Sequence, residues 1–102
     1  MVIHMTTQNY CMVNEANNVC ENICVWDGDP NTWTPPAGYL MLVQATTPAK
    51  VWVWNAVSQV WELGEQMGAG QIGFTWDGTY LTTNDPQPAP VVQAQVSGAQ
   101  TL

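Results

Sequence analysis

At 102 residues the chain has room for one domain; by surface scaling, a chain of this size buries about 65% of its extended surface, enough for a single core. Charged residues make up 9% of it, the formal net charge is −7, and Lys50 is the one Lys or Arg, which excludes the basic patch that nucleic acid or an anionic membrane surface requires. Hydrophobic residues at 46% exclude a wholly disordered chain, and six Trp against one Phe point to interfaces or carbohydrate platforms.

Residues 1–18 begin with an apolar stretch, 1–5, and turn polar and Asn-rich over 14–18. That is the texture of an arm that orders against a partner, with Val2, Ile3 and Met5 as its candidate contact residues. The opening MVIHMTTQNY carries neither a basic region nor a continuous apolar stretch, so no secretory leader is expected. No apolar run approaches the roughly 20 residues of a membrane span.

Residues 19–83 read as a β domain. Residues 19–26 are rich in β-branched side chains and end at the turn formers Asp27-Gly28-Asp29-Pro30. Residues 33–38, with Pro35 and Pro36, predict an extended polyproline-like link. Residues 39–45 read as a buried strand that Thr46-Thr47-Pro48 ends. Residues 51–55 alternate β-branched and aromatic side chains, so Trp52 and Trp54 share a face. A hairpin loop over 55–58 then returns residues 59–63, bringing Trp61 across from that pair. Residues 64–70 hold three glycines and predict a loop. Residues 72–82 predict a hairpin whose two-residue turn is Asp77-Gly78 in type I′ geometry. No helical period emerges. The predicted fold is all-β, a small β-sandwich or open barrel of antiparallel hairpins with extended N- and C-terminal arms. The second arm, 84–102, starts as a stiff spacer with Pro86, Pro88 and Pro90. Beyond them Val91, Val92 and Val96 supply the β-branched content to add a strand to a neighbouring sheet.

Reactive groups are sparse. Cys11, Cys20 and Cys24 are an odd number, a poor match to a disulfide framework. With His4 they make four nominal zinc ligands, but without the CxxC spacing of zinc knuckles. They read as small buried hydrophobes in a chain made in a reducing cytosol. Asp27, Asp29, Asp77 and Asp85 sit beside turn formers, where Asp serves the backbone. No paired carboxylates, nucleophile–base motif or phosphate loop emerges. Neither enzymatic activity, metal nor cofactor is therefore expected. Trp52, Trp54 and Trp61 have two readings: buried in the core or between chains, or exposed as a sugar-stacking platform.

Trp26-Asp27-Gly28 recurs as Trp76-Asp77-Gly78, two copies of a Trp beside an Asp-Gly turn. The strings ENICVWDGDPNTWTPPAGYLMLVQ and GAGQIGFTWDGTYLTTNDPQP around them resemble small virion and tail-fibre-associated proteins of tailed bacteriophages. In those proteins a VWDG strand, a WxPPxG stretch and an IGxxWDG hairpin with a proline-rich exit recur. The resemblance covers residues 19–90, outside most of both arms, and rests on turn and packing motifs. It implies a structural component of a virion and transfers no catalytic residue. The expected function is a capsid-decoration or cement protein that stabilises the head shell. Its expected partners are other virion proteins, chiefly the major capsid protein, and further copies of itself. The alternative is a tail-fibre or baseplate module that binds a host glycan.

Overall fold

The computed structural model describes residues 6–91; Val2, Ile3, Met5, Val92 and Val96 lie outside them. Among the described residues seven strands form: β1 (Gln8–Asn14), β2 (Val19–Trp26), β3 (Tyr39–Val43), β4 (Pro48–Asn55), β5 (Val60–Met67), β6 (Thr75–Trp76) and β7 (Leu81–Thr82), with a 3-10 turn at Gln44–Thr46. They make one open mixed sheet in the order β3-β1-β2-β6-β7-β4-β5. The all-β architecture expected of an open barrel or small sandwich is present. The pairing is not wholly antiparallel. β4 and β7 run parallel, Lys50 beside Thr82 and Ala49 beside Leu81, the last two both fully buried.

Residues 8–14 correct the N-terminal arm. They are not a free extension: β1 runs between β3 and β2, paired with both. Cys11 and Val13 on one face are fully buried and Met12 on the other is nearly so, so the segment's apolar residues are consumed inside the domain. The Asn-rich stretch is the loop that turns β1 into β2. Asn14 Oδ1 accepts the Ala16 N–H at 2.8 Å, Asn14 O accepts the Asn18 N–H at 2.6 Å, and Asn18 sits at φ 62°, a left-handed conformation Asn tolerates well.

The β4–β5 hairpin repeats this construction. Asn55 Oδ1 accepts the Val57 N–H at 2.9 Å, Asn55 O accepts the Gln59 N–H at 2.7 Å, and Gln59 lies at φ 57°. Each Asn also donates its amide to a Glu on the returning strand, Asn14 to Glu21 and Asn55 to Glu62. The repeat is legible as Asn-x4-Val-x-Glu at 14–21 and again at 55–62. Beyond it β5 runs through Gly64 to Met67, where a loop was expected. Gly64 pairs with Val51, and a Cβ there would stand 3.0 Å from Val53 Cγ2, so glycine suits this strand position through close approach.

β3 is an edge strand, half-buried with Leu40 exposed, and Pro48 opens β4 where it was expected to end the preceding strand. The 72–82 hairpin is shorter and its turn is shifted by one residue. Thr75 pairs with Thr82 and Trp76 with Leu81, so Gly78-Thr79 form the centre, flanked by a hydrogen bond from Asp77 N–H to Tyr80 O at 3.1 Å. The Asp77 carboxylate captures the Thr79 and Tyr80 N–H groups, and Gly78 takes the positive φ of 98° at the first central position. Asp27 does the same for the Asp29 N–H, with Gly28 at φ 81°. The two Trp-Asp-Gly copies thus share their local chemistry, although only the second closes a hairpin.

The core joins Cys11, Val13, Cys20, Ala49, Phe74 and Leu81. The segment after β5 crosses this face so closely that a Cβ on Gly70 would stand 2.6 Å from Leu81 Cδ1. Leu81→Ala removes the side chain at that crossing, and large-to-small core changes cost about 2–5 kcal/mol. Urea unfolding should register a loss in that range by both circular dichroism and Trp fluorescence. A loss under about 1 kcal/mol would mean that the loop closes over the vacated space.

Candidate functional site

Strand alternation sorts β4 into two faces. Ala49 and Val51 point to the core, whereas Lys50, Trp52 and Trp54 share the other side. Register places Trp61 opposite Trp54, Leu63 opposite Trp52 and Glu65 opposite Lys50. Trp54 and Trp61 pack with ring centroids 5.5 Å apart. At one end Tyr80 joins them, its hydroxyl donating to Glu65 and its ring 4.5 Å from Lys50 Nζ. The three tryptophans singled out in the sequence therefore stand on one face of one hairpin, each half-buried.

What half-buries two of them is the start of the second arm. The proline-rich stretch, expected as a spacer, lies on the domain as far as Ala89. Asn84 fixes its beginning by donating to Gly73 O and Thr75 Oγ1, both at 2.6 Å. The indole N–H of Trp52 then donates to Asp85 O, and that of Trp61 to Ala89 O, both at 2.9 Å. Gln87 Nε2, between the two, donates to Trp61 O at 2.8 Å. Asp85, Gln87, Ala89 and Leu63 thus belong to this face, although sequence reasoning passed over them. The available signal was alternate prolines downstream of a Trp ladder, a ligand-like segment beside an aromatic surface. Val91 is 45% exposed.

A second aromatic cluster stands across the sheet. Trp26 packs against Tyr10 at 5.2 Å and edge-on to Trp33 at 5.7 Å, and its indole donates to Asp29 O. The nearby Asp27 is held below the usual carboxylate range by the Asp29 N–H and the Thr32 hydroxyl. Glu21 is likewise lowered, first by the Tyr39 hydroxyl at 2.6 Å and then by the Asn14 amide. These are carboxylates engaged by turns and strand partners. Among the clefts that indent the described surface, two are open. One of about 380 Å³ is lined by Val13, Glu15, Leu40 and Trp76 among others, and one of about 470 Å³ by Val51, Ile72, Phe74 and Asp85 among others. Neither gathers a nucleophile with a base.

Among the described residues no group of three or more His, Cys, Asp or Glu is placed to hold a metal. Cys11, Cys20 and Cys24 are free thiols. Burial pushes the Cys11 thiol from 9.0 up to about 12, with Cys20 beside it adding to the rise; Cys20 and Cys24 are also raised by burial. A thiol buried in neutral form stabilises the fold fully below its unfolded value, and that contribution disappears as pH climbs through the folded value. Comparison with known proteins finds no matching family model, no matching curated protein and no matching solved structure.

Two outcomes follow for the thiols. Under native conditions at pH 8, alkylation should reach Cys24 first and leave Cys11 and Cys20 unmodified, as peptide mass spectrometry would read. The urea midpoint should fall as pH rises from 9.0 towards 12, and a Cys11→Ser/Cys20→Ser chain should lose much of that slope.

Proposed function

We propose that this chain is a structural component of a tailed-phage virion, a capsid-decoration protein that lies on the head shell and holds neighbouring subunits together. The observation that carries this reading is the apolar surface left over by so small a core. Val25 is 69% exposed, Ile72 59% and Val53 47%. Val25 shares its face with Cys11 and Ile23 by register, and Val53 shares its face with Ala49 and Val51. The face that buries its centre within the domain thus keeps apolar side chains at its rim. Apolar surface of this kind is suited to a protein partner, and a chain with so few charges meets little desolvation cost on close packing. The resemblance of residues 19–90 to small phage virion proteins supplies the setting, with the major capsid protein and further copies of the chain as partners.

A glycan-binding tail module is the weaker proposal. Sugar stacking on Trp52 and Trp61 needs open ring faces and free polar edges, and both indole N–H groups are engaged by Asp85 and Ala89.

The test is the copy number of the chain in purified virions, measured by quantitative mass spectrometry against the major capsid protein. The expected ratio is one copy per capsid subunit or a simple fraction of it. A handful of copies per particle would move the chain to the tail, and its absence would overturn the virion reading. In addition, Val25→Glu and Ile72→Glu should leave urea stability within about 0.5 kcal/mol, as exposed substitutions do, yet lower shell occupancy at least tenfold.

A further inference from the structure

We propose that the face formed by Trp52, Trp54 and Trp61 is a polyproline-reading site whose ligand class is an extended, proline-rich peptide, and that residues 85–90 fill it as a ligand carried in the same chain. This inference stands apart from the virion reading and survives its failure.

The chemistry of the contact defines the ligand. Donors come from the sheet: the indole N–H groups of Trp52 and Trp61 reach carbonyls of Asp85 and Ala89, four residues apart in the segment. No backbone–backbone hydrogen bond joins residues 84–91 to the sheet, so the segment is not recognised as an added strand. It offers carbonyls to the indoles without needing its own N–H groups to be met by the sheet. Pro86, Pro88 and Pro90 have no N–H to leave unsatisfied, and their fixed φ holds the chain extended before it docks. Indole donors on an aromatic surface facing such a segment constitute polyproline recognition, and the preformed ligand loses little conformational freedom on binding. Trp54 packs against Trp61 and supports its ring. Gln87, donating to Trp61 O at 2.8 Å, is the one side chain of the segment that reads the sheet backbone, and so sets specificity at the centre of the ligand.

Because the ligand is tethered a few residues beyond β7, its effective concentration is high, and a free peptide of the same kind competes poorly with it. The site is therefore closed in the resting chain and opens to a proline-rich partner segment only when its own strap lifts.

The experiment uses the full chain with labelled tryptophan and a synthetic peptide of residues 84–91. In the unaltered chain the indole protons of Trp52 and Trp61 should exchange with solvent at least tenfold more slowly than that of the exposed Trp33. In a full-length Pro86→Gly/Pro88→Gly chain this protection should fall, and added peptide should restore it, binding at least tenfold more tightly than to the unaltered chain. Trp61→Phe in that background keeps an aromatic ring, removes one donor, and should weaken peptide binding about tenfold. Three results would overturn the proposal. One is indole exchange at Trp52 and Trp61 as fast as at Trp33 in the unaltered chain. Another is equal binding of a peptide with its prolines replaced by Ala. The third is unfolding of the Pro86→Gly/Pro88→Gly chain, which would make the strap a part of the fold and not a ligand.

Discussion

The contact of Leu81 with Ala49 holds the two halves of this protein in one sheet. On one side stand β3, β1 and β2; on the other stand β4 and β5. Between them run only β6 and β7, two residues each. β6 meets β2 through the single pair Val19–Thr75, with flanking bonds from Cys20 N to Phe74 O and from Trp76 N to Asn18 O. β7 meets β4 through two parallel pairs. So little hydrogen bonding would leave a weak seam, and packing makes up the difference. Leu81, Phe74, Ala49, Cys11 and Cys20 converge beneath the join, and Gly70 presses directly on Leu81. The seam and the core are the same place.

That concentration explains the remaining surface. A chain of this length has a limited interior, and here it is spent at the middle of the sheet. Strand ends, edges and the outer face of the β4–β5 hairpin are left to other means. Residues 85–89 lie along the outer face, tied to it by the carbonyls of Asp85 and Ala89 and by the Gln87 side chain. The rim of the core face keeps Val25 and Val53 in water. Charge does little of the organising. Lys50 is spent on the Tyr80 ring beside Glu65, and the turn carboxylates Asp27 and Asp77 face backbone N–H groups.

Much of the local structure was legible because local chemistry dictates it. β2 begins and ends where β-branched content and the Asp27-Gly28 turn predict, and the Trp52/Trp54 alternation and its return through Trp61 follow from period two. The misreadings share one cause: a residue's meaning changed with a distant neighbour. Residues 8–14 look like an arm until β3 and β2 flank them. Gly64 marks a loop until Val53 claims the space above it. Pro86 and Pro88 mark a spacer until two indoles take the carbonyls beside them. The Asp77-Gly78 turn slipped by one residue, with the Asp77 carboxylate taking the Thr79 and Tyr80 N–H groups that the backbone would otherwise claim. The repeated Asn-x4-Val-x-Glu pattern was readable without any structure, but turns on polar residues that a hydrophobic-period reading ignores.

That repeat bears on the order in which the molecule assembles. Each hairpin carries its own closing device, an Asn that ties the loop and reaches the returning strand's Glu, so each is specified by contacts near in sequence. Loop closure is inexpensive over such short distances, whereas pairing of remote segments is slow. The join of Ala49 to Leu81, by contrast, pairs residues separated by β5, the Gly70 crossing and β6. Contact order therefore favours two hairpins that form first and are stitched afterwards by a two-residue strand, an order in which the stitch lies open to neighbouring chains before it is sewn.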